Sequence, residues 1–146
     1  MISVSLLVST QRPGSELEGL MELGPVVVRE IRDSYPAQRR LYAVFFVSRT
    51  QPFDDLDLQT NIVNPDGSVL EASRKRIRLR GTWDFATGSV DLGHVYLPAP
   101  GPYRFNLYVK DRAAGQWPDD PHCFWLVYAT TEEAATDAIE EGRPAR

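Results

Sequence analysis

The sequence predicts an all-β fold, an antiparallel β-sandwich of seven to eight strands, on three observations. Apolar and polar residues alternate with the period of a half-buried strand through most of residues 1–129, where helical periodicity is nearly absent. Turn residues separate the alternating runs, and proline, at 11 of 146 residues, exceeds its usual share of about 5%. The runs follow one another without the helical crossovers that a parallel sheet requires. A closed barrel is the alternative architecture.

The elements follow in chain order. Ile2, Val4, Leu6 and Val8 share one face and Ser3 and Ser5 the other, the pattern of a strand covered on one side. A second strand is expected from Val26 to Ile31. Before it, Pro13-Gly14-Ser15 and Gly24-Pro25 punctuate a connection whose residues 16–23 read equally as a helical turn or a hairpin arm. Leu41 to Val47 is apolar on both faces and rich in aromatic and branched side chains, so it is expected as a central strand around which the core is built. Leu56, Leu58 and Ile62 alternate with Asp57, Gln59 and Asn61 up to Asn64-Pro65-Asp66-Gly67. That tetrapeptide is a hairpin turn: proline presets φ at the second position, aspartate is accepted at the next, and glycine supplies the positive φ that returns the chain from Ser68. Ser89–Leu97, Tyr103–Val109 and Cys123–Tyr128 complete the strands.

Leu97-Pro98-Ala99-Pro100-Gly101-Pro102-Tyr103-Arg104-Phe105 is either a proline-rich lead into a strand or a tyrosine corner, in which the Tyr hydroxyl bonds back to the chain entering the turn. This segment resembles the corner of immunoglobulin-like and fibronectin-like sandwiches, and the expected fold is of that type. After Tyr128 the composition turns acidic. Thr130 and Glu133 have capping-box spacing, acids favour the start of a helix, and Gly142 and Pro144 stop it. The chain thus divides into a β-sandwich domain over 1–129 and an acidic C-terminal helix and tail over 130–146. The helix would carry only Ala134, Ala135, Ala138 and Ile139 as an apolar stripe, so it must dock or fray.

Composition excludes several classes. Hydrophobic residues at 42% and charged residues at 25% describe one soluble domain rather than a disordered, collagen-like or membrane-embedded chain. The net charge of −4 is concentrated in the tail, where Glu132, Glu133, Asp137, Glu140 and Glu141 lie, and the near-neutral body has no global field to gather nucleic acid or an anionic membrane. The single cysteine, Cys123, makes no intrachain disulfide and reads as a buried thiol. The apolar N-terminus lacks a basic region and a cleavage site and reads as a first strand, which points to the cytoplasm.

No glycine-rich phosphate loop, nucleophile elbow, Cys-x-x-Cys or His-Glu-x-x-His is present, so the expectation is a non-enzymatic protein with no cofactor. His94 falls within an alternating strand. Asp119 and Asp120 precede His122 in a loop that also holds Trp117, which forms either a solvated turn or the wall of a small-ligand or metal site. Trp83-Asp84-Phe85 resembles the calcium loop of C2 domains, but Ala86 stands where a second aspartate is needed.

The sharper feature is Arg74-Lys75-Arg76-Ile77-Arg78-Leu79-Arg80. In a strand, Arg74, Arg76, Arg78 and Arg80 line one face over roughly 20 Å, with Ile77 and Leu79 turned inward. Such a ladder is either an outer face whose arginines pair with neighbouring acids and guard an edge, or a contact surface for a carboxylate- or phosphate-bearing partner. Aromatics do not interleave with it, which argues against a nucleic-acid platform. Trp83 and Trp117 are either lids on the sandwich ends or binding anchors, with the lid favoured, and Trp125 is expected as core.

The order of Val4-Ser5-Leu6-Leu7-Val8, Tyr42-Ala43-Val44-Phe45-Phe46-Val47, the Asn64–Gly67 hairpin and Leu97-Pro98-Ala99-Pro100-Gly101-Pro102-Tyr103 is similar to a family of uncharacterised small bacterial β-sandwich proteins. The resemblance implies no activity and transfers no functional residue. The expected function is a protein-interaction or assembly module, binding a protein partner or a second copy through the arginine ladder or the C-terminal helix. A small-ligand or metal-dependent binding protein using Trp117, Asp119, Asp120 and His122 is the alternative.

Overall fold

The computed structural model describes residues 2–14, 23–49, 55–81, 83–111 and 115–133. They form two sheets. β1 (Ile2–Ser9), β3 (Ala37–Arg49) and β6 (Phe85–Leu97) make a three-stranded sheet in the order β1-β3-β6. β2 (Arg29–Arg32), β8 (Cys123–Thr131), β7 (Gly101–Asp111), β4 (Leu56–Val63) and β5 (Val69–Leu79) make a five-stranded sheet in the order β2-β8-β7-β4-β5. Every described pairing is antiparallel except that of β2 with β8.

One hydrophobic cluster joins the two layers. Leu6, Val8, Leu41, Phe45, Val47 and Val95 come from the smaller sheet, and Leu58, Ile62, Tyr103, Leu107 and Val127 from the larger. Alternation is what places them: on β3 the odd residues from Leu41 to Val47 enter the core, and Val44, facing the other way, is also fully buried. The expected central role of this run holds, since β3 pairs on both sides.

The expected second strand is divided between the sheets. Val26 bridges Ser9, and the Val27 amide donates to the Val8 carbonyl at 2.8 Å, so residues 26–27 lie along the edge of β1. One residue later the Tyr128 amide donates to the Val28 carbonyl at 3.1 Å, and Arg29–Arg32 pairs with β8. The chain therefore changes sheets at Val27–Val28, which only tertiary pairing can dictate. β6 begins at Phe85 rather than Ser89 and carries Gly88 directly against the Phe45 ring.

The Asn64–Gly67 turn forms as expected, and of the two readings open for residues 97–105 the tyrosine corner is the one adopted. At the β4–β5 hairpin, Gly67 adopts φ +90 and its amide donates to the Asn64 carbonyl at 2.9 Å. The Asp66 carboxylate accepts from the Ser68 amide at 2.9 Å and the Ser68 hydroxyl at 2.6 Å, bonds that hold its pKa below the ordinary carboxylate value. The fully buried Tyr103 makes the corner bond: its hydroxyl donates to the Ala99 carbonyl at 2.6 Å and accepts from the Ala99 amide at 3.2 Å.

The expected C-terminal helix is corrected at its start. Thr130 and Thr131 belong to β8, held by parallel pairing with Ile31 and Arg32, so Thr130 is a strand residue rather than a helix cap. A helical turn begins only at Glu132–Glu133, and the remainder of the expected helix, 134–146, lies outside the described residues. Here the Asp33 carboxyl shares a hydrogen bond with Glu132, and its negative charge adds to the effect, so the Glu132 carboxyl titrates above its ordinary 4.5. A raised acid favours the fold below the ordinary value, and the contribution fades as pH climbs through the raised one. Accordingly, Asp33→Asn is expected to bring the Glu132 midpoint down toward 4.5 by carbon-detected NMR titration, and an unchanged midpoint would refute the pairing.

Candidate interaction surface

On the outer face of the five-stranded sheet the alternation that fills the core leaves the opposite set of side chains in solvent. From β8 these are Phe124, Leu126 and Tyr128, which are 48%, 38% and 52% exposed; from β2, Ile31 is 47% exposed. β7 adds Arg104, whose guanidinium lies 4.0 Å from the centroid of the Phe124 ring. Near the middle, Asn106 and Asn61 are buried though outward-facing, and Asn106 Nδ2 donates to the side-chain oxygen Oδ1 of Asn61 at 3.0 Å.

The arginine ladder borders this face. Arg74, Arg76 and Arg78 lie on β5, Arg80 follows its last residue, and all four are exposed, while Ile77 and Leu79 pack against the core as expected. Strand pairing places Asp57 beside Arg78 and Gln59 beside Arg76. Arg78 Nε donates to Asp57 Oδ1 at 2.8 Å and Nη2 to Oδ2 at 3.4 Å, and this carboxylate raises the Arg78 pKa further. Arg76 Nε donates instead to the neutral Gln59 Oε1 at 2.9 Å. Part of the ladder is thus an ordinary cross-strand pairing, of modest worth because it is exposed.

Trp117, read as a lid or a binding anchor, stands beside the ladder rather than over the core. It lies between β7 and β8 and reaches the ladder: the Arg76 guanidinium carbon is 5.6 Å and the Lys110 ammonium 5.4 Å from the centroid of its ring. Together with Asp57, Ile77 and Arg78 these groups line a notch of about 300 Å³. The structure therefore joins one residue of the alternative ligand wall to two of the ladder. Lys110 was invisible as a site residue in sequence; its register opposite Asp57 brings it in. The aromatic company that the ladder lacks along the chain is supplied across the fold by one ring, that of Trp117.

The remaining residues of the alternative wall are not gathered into a ligand set. Asp119, Asp120 and His122 are exposed, and the His122 amide donates to the Leu107 carbonyl at 2.8 Å, extending the β7–β8 pairing. Among the described residues no group of three or more His, Cys, Asp or Glu side chains is placed to hold a metal ion. Cys123 is half-buried against the core and burial pushes its thiol pKa up, which leaves little thiolate for chemistry. His94 is exposed on β6. Trp83 is tied to the core region through Arg49, and the Trp125 indole donates to the Val27 carbonyl at 2.7 Å. Among the described residues no helix is long and apolar enough to cross a membrane.

No protein-family model matches the chain, and no curated protein matches it. Among the solved structures that are similar in part are two glycoside hydrolases. A β-glucuronidase from Bacteroides uniformis superposes with a TM-score of 0.45 at 19% identity, covering 84% of this chain and 12% of the enzyme's. A family 123 glycoside hydrolase from Clostridium perfringens gives 0.40 at 11% identity, covering 87% of this chain and 27% of that one. This chain therefore spans a small part of either enzyme, and the likeness says nothing of activity.

Proposed function

We propose that this protein is a non-enzymatic interaction module that docks a protein partner on the outer face of its five-stranded sheet. The observation that carries the reading is the continuous apolar strip of Phe124, Leu126 and Tyr128 beside Ile31, side chains that stay exposed although each stands on a paired strand. Charge argues for a foreign partner. Among the described side chains of this face Arg29, Arg76, Arg78, Arg104 and Lys110 stand against Asp57, in a chain whose net charge is −4, so an acidic surface complements it and a second copy of the same face does not.

The architecture fits an immunoglobulin-like reading. Support comes from the strand order, with the first edge split between sheets as β1 and β2, and from the Tyr103 bond to Ala99 at the turn into β7. The lone Cys123, which leaves no intrachain disulfide, favours the cytoplasm.

The test is affinity isolation from the source cells, identification of the partner, and reconstitution with purified components. Leu126→Asp is expected to weaken the complex by roughly 30-fold or more, the scale of a central interface residue, whereas Phe85→Ser on the other sheet leaves it unchanged. Equal binding by both variants, or sedimentation showing that Leu126→Asp disrupts only self-association, would overturn the proposal.

A further inference from the structure

We propose that the notch between Trp117, Arg76 and Lys110 binds a peptide carboxylate, an acidic side chain presented next to an apolar residue; this rests on the interaction reading and names what the partner brings to that end of the face. Among the described residues the notch carries three cations, Arg76, Arg78 and Lys110, against the one carboxylate of Asp57. Asp57 is committed to Arg78 through two hydrogen bonds, while Arg76 gives its Nε–H to the neutral Gln59, and Lys110 has no carboxylate partner among the described residues. Two cations thus flank one indole at 5.6 and 5.4 Å, an arrangement in which like charges repel unless an anion shares them.

The shape limits the ligand. A notch of about 300 Å³ holds one or two side chains and not an extended cofactor. The Arg76 Nη groups, with no hydrogen-bond partner among the described residues, offer a fork to a carboxylate, as Arg78 already does for Asp57. The half-buried Trp117 ring gives an apolar wall for the methylenes and the neighbouring apolar residue. Asp57 within the lining favours a monoanion, because a phosphate dianion meets its charge twice over. A single indole also differs from the row of rings on which successive bases stack.

The experiment is an NMR titration of the full-length protein, following the Trp117 indole N–H resonance, identified by its absence in Trp117→Phe. The probe is a capped peptide of alternating leucine and glutamate; its glutamine counterpart, inorganic phosphate and a single-stranded oligonucleotide are the competitors. The acidic peptide is expected to shift this resonance saturably, and Arg76→Gln or Lys110→Gln to weaken it about tenfold or more, while Arg40→Gln on the other sheet has no effect. Preserved dispersion of the other resonances shows that each variant is folded. An equal response to the glutamine peptide, or saturation by phosphate or oligonucleotide without the acidic peptide, overturns the proposal. The titration needs no natural partner, so a silent notch with partner binding still lost in Leu126→Asp removes this inference alone. A responsive notch with partner binding intact in Leu126→Asp removes the docking strip instead.

Discussion

Phe45→Ala is expected to lower the unfolding free energy by about 3–5 kcal/mol, the cost of removing a buried aromatic ring and leaving its cavity. The ring is 1% exposed at the centre of β3, where strands pair on both sides and relaxation into the void is restricted. Its partner on β6 is Gly88, and register sets the two opposite each other. A Cβ on Gly88 would stand 3.0 and 3.1 Å from Phe45 Cε2 and Cε1 and closer still to Cζ. Gly88→Ala alone is therefore expected to cost about 1–3 kcal/mol through overpacking. In a Phe45→Leu background the same change should be nearly neutral, because the planar ring it meets is gone. Urea denaturation of the four proteins measures that coupling, and simple additivity would contradict the packing described here.

Arg49→Met is the second large effect, expected at about 2–4 kcal/mol. Arg49 is a buried cation at the end of β3. Its Nε donates to the Trp83 carbonyl at 2.8 Å, one Nη to the Gly81 carbonyl at 3.1 Å, and its guanidinium lies 3.8 Å from the centroid of the Trp83 ring. One side chain thereby fixes the passage from β5 to β6. Arg49→Lys keeps the charge but offers a point donor in place of a planar fork that serves two carbonyls and stacks, so it should recover less than half of the loss. The check is the denaturation midpoint together with tryptophan emission. A lysine variant as stable as the parent would show that charge, rather than the fork, holds the passage.

What could be read from the residues alone was what is local or periodic. The Asn64–Gly67 hairpin and the Tyr103–Ala99 bond follow from turn chemistry within five residues, and the inward set on β3 follows from alternation. The division of residues 26–32 between two sheets was not legible, because Val26 and Ile31 have the same propensity and differ only in which neighbour they meet. Nor was the end of β8: capping spacing at Thr130 favours a helix, but parallel pairing with Ile31 outweighs it. The start of β6 was hidden by Gly88, a poor strand former kept by its closeness to Phe45. For the candidate site, the exposed arginines could be seen on the page, whereas their meeting with Trp117 and Lys110 depends on a loop returning across the sheet.

The edges of the two sheets are guarded unequally. β5 carries Arg74, Lys75, Arg76 and Arg78, and β2 is short with Arg29, Glu30 and Arg32, so strand addition at either side of the larger sheet meets charge. β1, from Ile2 to Ser9, has no charged residue, and among the described residues the flanking segment 25–27 pairs with it only around Val8 to Thr10. The hydrogen-bonding groups along its first half are the natural template for a foreign strand. Under crowding or partial unfolding, aggregation of this protein is therefore expected to be seeded from its first strand, on the opposite sheet from the surface proposed for docking.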